Sequence, residues 1–296
     1  MPESNAVALV LLTASPGVAA SPEGRAVAAA LAEECRQDLG LRPEVRFAHL
    51  DRRGGGEDLE AVLHGLCEAG RATVLVLPGD TGLDIFARRM TADAVSAVRR
   101  SRPGVHVFYD EPASDHPLLL QAWVDAVVRT AAGLGLSGPN QLGLLLAASG
   151  DTDPETRAAS YKLMRLLWEH TGAAHAEVAF VRHDRPLLPV ALPALAARPL
   201  RWVAVAEYLW PCEHLAFART VLADFAAARG EAPWPLTGPL AAHPNVAAWF
   251  KLRATDLLWS LRLKTQKPAV RVGGTGLTVT VRPAPATRTT SLQDTL

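Results

Sequence analysis
Shifted against itself by roughly 130 residues, this chain sets a series of short, dissimilar signals in register and in the same order, which biased composition does not produce. The first pair is an apolar run, Val7 to Leu12 in one half and Leu142 to Ala147 in the other, each followed by a loop of small residues. The second pair is a helix start, Ser21-Pro22-Glu23-Gly24-Arg25-Ala26 against Asp153-Pro154-Glu155-Thr156-Arg157-Ala158. Ser or Asp accepts from the free first-turn amides, Pro suits the first helical position, and Glu complements the helix dipole. Val27, Leu31, Cys35 and Leu39 then recur every fourth residue, which is one apolar helix face and places Cys35 in the core.

A second strand follows in each half, Glu44-Val45-Arg46-Phe47 against Glu177-Val178-Ala179-Phe180, leaving through Leu50-Asp51-Arg52 and His183-Asp184-Arg185. A third runs Val74 to Leu77 before Pro78-Gly79-Asp80-Thr81, and Val203 to Ala206 before Pro211-Cys212-Glu213-His214. Phe86-Ala87-Arg88 and Phe217-Ala218-Arg219 come next. Val105 to Tyr109 is a fourth strand of the first half, and His116-Pro117 and His243-Pro244 each open an apolar helix as structural residues. Strands alternating with helical stretches require crossover connections, so the expected fold is α/β: two tandem domains, each a small parallel sheet flanked by helices.

The Gly- and Pro-containing stretch from Leu134 to Asn140 marks the boundary, giving domains at 1–136 and 137–261 and an extension at 262–296. In the extension, Val270 to Val281 has room for a hairpin around Gly273-Gly274, and the last dozen residues read as disordered.

Composition narrows the function. Thirty Lys and Arg balance thirty Asp and Glu, so no global field draws the chain to nucleic acid or to an anionic membrane. The apolar run at Ala6 to Leu12 is too short to cross a bilayer and lacks the basic flank of a secretion signal. Cys35, Cys67 and Cys212 have neither zinc spacing nor an even count, which indicates a reducing, cytoplasmic setting.

In open parallel sheets, ligands sit outside the carboxyl ends of the strands, where loops converge and helix amino termini point. Those edges carry Glu207, Cys212, Glu213 and His214 in one short segment, His183 with Asp184 beside it, and His49 in the first half. Imidazole with carboxylate holds divalent metals and accepts protons near neutral pH. Ser149 and Asp151, in a loop before a helix, suit an anion, although helix capping alone also explains them. Arg53-Gly54-Gly55-Gly56 has none of the surroundings of a phosphate loop, and no nucleophile elbow is present.

From Gly150-Asp151-Thr152-Asp153-Pro154 through Tyr161-Lys162-Leu163, Arg165-Leu166-Leu167-Trp168-Glu169, Glu177-Val178-Ala179-Phe180 and Arg185-Pro186-Leu187, the chain resembles the second half of the long, duplicated sirohydrochlorin chelatases. These are the class II chelatases, lyases of cobalamin and siroheme biosynthesis, and the resemblance covers roughly residues 7 to 260. It implies two chelatase-like domains with a macrocycle between them, and cobalt or iron inserted into a tetrapyrrole such as sirohydrochlorin by cleft histidines.

Two departures stand out. Leu12-Thr13-Ala14-Ser15-Pro16 replaces the family's His-Gly-Ser, and Thr81 stands where the second family histidine follows the Pro-Gly turn. His214 occupies the repeat-equivalent of Thr81, so the imidazole has crossed to the opposite wall. The resulting assignment makes His214, Glu213 and His183 catalytic, and His214, Glu207 and His49 metal-binding. Ser149, Asp151 and Arg185 hold the ligand, with Arg25, Arg52 and Arg219 as further carboxylate partners. The partner is a macrocyclic or metal-binding small molecule, and a homodimer is left open. The alternatives are a tetrapyrrole or metal carrier without turnover, or the same fold recruited to other chemistry on a smaller substrate.

Overall fold
The structure, a computed structural model, describes residues 6–13, 18–50, 58–79, 85–110, 115–151, 153–265, 272–273 and 276–277. Residues 1–257 form one compact unit and 258–296 another.

The first unit holds two parallel sheets whose first three strands follow the same spatial order. The first sheet has the order β2-β1-β3-β4, from β1 (Val7–Thr13), β2 (Glu44–His49), β3 (Thr73–Pro78) and β4 (His106–Tyr109), all parallel. The second has the order β6-β5-β7, from β5 (Leu142–Ala148), β6 (His175–Phe180) and β7 (Arg201–Ala206), likewise parallel. β1, β3 and β5 are the inner strands, and every residue of the three is buried. A strand covered on both faces reads as an unbroken apolar run rather than an alternation, and these runs do.

Among the described residues the second sheet has no full counterpart of β4. Its place is taken by a single parallel bridge at Leu236, where the Ala204 amide donates to the Pro235 carbonyl and the Thr237 amide to the Ala204 carbonyl, each at 2.9 Å. Pro235 has no amide hydrogen to extend the ladder.

The helix starts match as their sequences do. Ser21 caps α1 (Pro22–Leu39) by accepting from the Gly24 amide at 2.9 Å, and Asp153 caps α5 (Pro154–Thr171) by accepting from the Thr156 amide at 3.2 Å. Both helices end on a left-handed glycine, Gly40 and Gly172. Val27, Leu31 and Cys35 are buried on the inner face of α1. Around the first sheet run α2 (Leu59–Glu68) and α3 (Ile85–Ser101), and around the second α6 (Leu188–Ala196) and α7 (Glu213–Arg229).

The last helix of each half crosses to the other. α4 (Pro117–Ala132) belongs in sequence to the first half, yet the indole of its buried Trp123 donates to the Ala206 carbonyl at the end of β7, at 3.1 Å. α8 (Pro244–Thr265) follows the second half, yet Lys251 pairs with Glu34 and Asp38 of α1, and Arg253 forms a two-pronged bond with Asp110 just past β4. His116 and His243 start these helices. The Nδ1 of each accepts an amide two residues on, from Leu118 and Asn245, both at 3.2 Å, so both imidazoles serve as caps.

In the second unit the hairpin is short: β8 (Val272–Gly273) pairs antiparallel with β9 (Gly276–Leu277). The final dozen residues lie outside the described ones. No described helix is long and apolar enough to cross a membrane.

Candidate functional site
At the carboxyl end of β6 the chain turns sharply against the loop after β5. The Val181 amide donates to the Ala148 carbonyl at 2.8 Å and the Arg182 amide to the Ser149 carbonyl at 3.2 Å. Gly150 sits at φ 80°, and a Cβ there would fall 1.8 Å from the Arg182 carbonyl oxygen, so only glycine fits. His183 is itself left-handed, at φ 63°. The turn buries Asp184, whose Oδ1 accepts from the Arg157 guanidinium at 3.2 Å and from the Arg185 amide at 2.8 Å. Arg182, His183 and Arg185 are left exposed.

The adjacent loop, from the end of β7 into α7, holds the second group. Glu207 is buried and its carboxylate accepts from the Ser160 hydroxyl of α5, at 3.0 and 2.9 Å. Burial pushes this carboxyl up to about 7, against the opposite pull of the Ser160 bond. Tyr208 follows, its phenol pushed well above the usual range chiefly by burial. Trp210, 1% exposed, donates its indole N–H to the Gly79 carbonyl beyond β3 at 2.7 Å and meets the Phe47 ring of β2 edge-on at 5.6 Å. Gly79 is in turn tied to β1, with its amide donating to the Leu12 carbonyl at 2.6 Å. The second-half loop is thereby fastened to the strand ends of the first half.

Cys212 stands at the N-cap of α7 without a side-chain capping bond, and Glu213 and His214 form the first turn. The His214 Nε2 is buried, lies 3.7 Å from Glu213 Oε1, and has no hydrogen-bond partner among the described residues. Its ring stands 6.2 Å from that of Tyr208, tilted by 34°. Burial pushes the His214 pKa down, Arg182 and His183 add to this, and Glu213 opposes it. A neutral imidazole with an unshared nitrogen is the form that binds metals and accepts protons.

The fold therefore brings His214, Glu213, His183 and Arg182 to one edge, with the Ser149 backbone beneath the Arg182 turn. Glu207 is adjacent in sequence but faces inward to α5. Asp151 folds back on its own helix start, its Oδ1 accepting from the Asp153 amide at 3.3 Å. His49 ends β2 opposite Thr13, on the carboxyl edge of the first sheet. Arg25 and Arg219 are exposed on α1 and α7. Thr81, Arg52 and the Gly54-Gly55-Gly56 run lie outside the described residues. Among the described residues, no three His, Cys, Asp or Glu side chains gather as a metal-holding group. Tyr208, Trp210 and Arg182 escaped sequence reasoning. The signal for them was their placement, two aromatic residues and a guanidinium immediately past strand ends.

With this geometry in hand, the chain can be set beside known proteins. The CbiX family model matches residues 143–257, the half that carries His183 and His214. SirB from Bacillus subtilis with Fe3+ shares the fold over 88% of this chain and 98% of its own, at a TM-score of 0.64 and 15% identity. The sirohydrochlorin chelatase SirB from Bacillus subtilis subspecies spizizenii, in complex with cobalt, does so over 88% and 97%, at 0.60 and 14%. CbiX, the terminal enzyme for biosynthesis of siroheme in denitrifying bacteria, matches over 84% and 98%, at 0.54 and 20%. At these identities the solved structures establish the fold. No curated protein matches the chain by sequence.

Proposed function
We propose, from the premise that residues 143–257 carry the CbiX pattern on the fold of the sirohydrochlorin chelatases, that this protein inserts a divalent metal into a tetrapyrrole. Cobalt and iron are the metals expected as substrate, and sirohydrochlorin the macrocycle. The observation that carries this reading is the buried His214 Nε2, without a hydrogen-bond partner among the described residues, within the matched half.

Insertion exchanges a metal's water and protein ligands for ring nitrogens while two pyrrole N–H protons leave. His214 is suited to hold the incoming metal or to accept one of those protons, and Glu213, at 3.7 Å, to steady the resulting charge. His183 is a second acceptor at the same edge. Arg182 and Arg185, exposed beside it, suit the peripheral carboxylates of the ring through forked bonding. Ser149, Asp151 and His49 complete the assigned set as flanking groups.

The test is incubation of the purified protein with metal-free sirohydrochlorin and cobalt(II), iron(II) and other divalent ions. Insertion shifts the absorption spectrum at a rate proportional to enzyme. A rate no faster than the uncatalysed control refutes the reading. The replacement of the family's two first-half histidines, by Leu12-Thr13-Ala14-Ser15-Pro16 and by Thr81, favours a second reading, a carrier, which would bind the macrocycle stoichiometrically without turnover.

A further inference from the structure
The segment that presents His214 also presents a phenol without a hydrogen-bond partner among the described residues. Tyr208 lies two residues beyond β7, and its backbone is held by the Leu240 amide, which donates to its carbonyl at 3.3 Å. Its hydroxyl oxygen is buried and has no hydrogen-bond partner among the described residues. The Nε2 of His214 is in the same condition, and the two rings stand side by side at 6.2 Å. The two atoms therefore do not satisfy each other. Buried polar groups in native proteins are almost always paired, so two unpaired ones on neighbouring rings call for a partner from outside the chain.

The chemistry of that partner follows from the groups that remain. A phenol keeps its proton at neutral pH and donates it to an acceptor. Arg182, within electrostatic reach of both rings, adds five donors and a positive charge and is exposed. The nearby Glu207 carboxylate is already committed to Ser160. A hydroxyl and a guanidinium together select an anionic acceptor, while the exposed carboxylate of this edge, Glu213, stands 3.7 Å from the His214 Nε2.

We propose that Tyr208, with Arg182, recognises a carboxylate of the ligand whose metal or ring nitrogen meets His214. The inference rests on the tetrapyrrole reading and adds an orientation to it, since a carboxylate fixed at Tyr208 sets which part of the ring faces the imidazole.

The experiment compares wild type with Tyr208→Phe and Arg182→Gln. Affinity for metal-free sirohydrochlorin, affinity for cobalt(II) alone, and Tm are read separately. Tyr208→Phe is expected to weaken macrocycle binding about tenfold, leave cobalt binding unchanged, and leave Tm equal or raised, because the oxygen removed has no hydrogen-bond partner among the described residues. Arg182→Gln is expected to weaken the macrocycle similarly, with less than additive loss in the double variant. Wild-type affinity retained in Tyr208→Phe, or a lowered Tm with affinity intact, overturns the inference while leaving the chelatase reading standing. A wild-type protein that fails to bind sirohydrochlorin overturns both.

Discussion

The indole of Trp210 reaches 131 residues back along the chain to bond the Gly79 carbonyl at 2.7 Å, joining the loop that bears His214 to the strand ends of the other half. Tryptophan suits the position because it fills the space against Phe47 with apolar surface while its one donor satisfies a buried carbonyl. Trp210→Phe keeps much of the packing and strands the carbonyl, at a cost of about 1–3 kcal/mol. Trp210→Ala adds a cavity and costs about 3–5 kcal/mol. Urea unfolding of the two variants measures both values, and the order of the two is the check.

His214→Ala removes a buried imidazole nitrogen that has no hydrogen-bond partner among the described residues. Insertion is expected to fall by about a hundredfold or more, with the far-ultraviolet circular dichroism unchanged. Unchanged rates of cobalt or iron insertion would remove His214 from the mechanism.

Glu207 links stability to pH. In the unfolded chain a glutamate titrates at about 4.3, whereas in the folded one burial holds the group near 7. Between these values the native state keeps a proton that the unfolded state has lost, so stability declines as pH rises through this window and levels off above it. The decline is on the order of 3 kcal/mol. Glu207→Gln, neutral throughout and still able to accept from Ser160, is expected to flatten it. Unfolding midpoints at pH 5 and pH 8 give the comparison.

Gly150→Ala tests the turn that displays His183. The added methyl meets the Arg182 carbonyl at 1.8 Å in a backbone conformation that alanine resists. The expected loss exceeds about 2 kcal/mol. Insertion should also slow, because the turn cannot accept the methyl without moving Arg182 and His183. Calorimetry and the insertion assay read the two effects.

The repeat architecture was legible because its determinants are local. The unbroken apolar runs of β1 and β5, the Ser-Pro-Glu and Asp-Pro-Glu helix starts and the two His-Pro caps each act within a few residues. The site was legible as an edge and less so as a set of side chains. Glu207 stands seven residues before His214, yet the alternation of β7 continues past the strand end. Trp202 and Ala204 pack with α6 and α7, so Glu207, of the other parity, faces α5 and Ser160. Asp184 was adjacent to His183 in the same way and is consumed by Arg157. Trp210 on Gly79 and Trp123 on Ala206 join residues from different halves, and no spacing along the chain encodes such pairs.

The exchange of α4 and α8 makes the two repeats mutually dependent. A fragment ending near residue 136 would keep its own strands but offer α4, with Trp123, to a sheet it no longer possesses, while the first sheet would go without the helix carrying Lys251 and Arg253. Separately expressed fragments should accordingly be insoluble alone and recover by complementation when mixed. A mutation that loosens one half would then register as strain on the other, and neither copy is free to diverge without its twin.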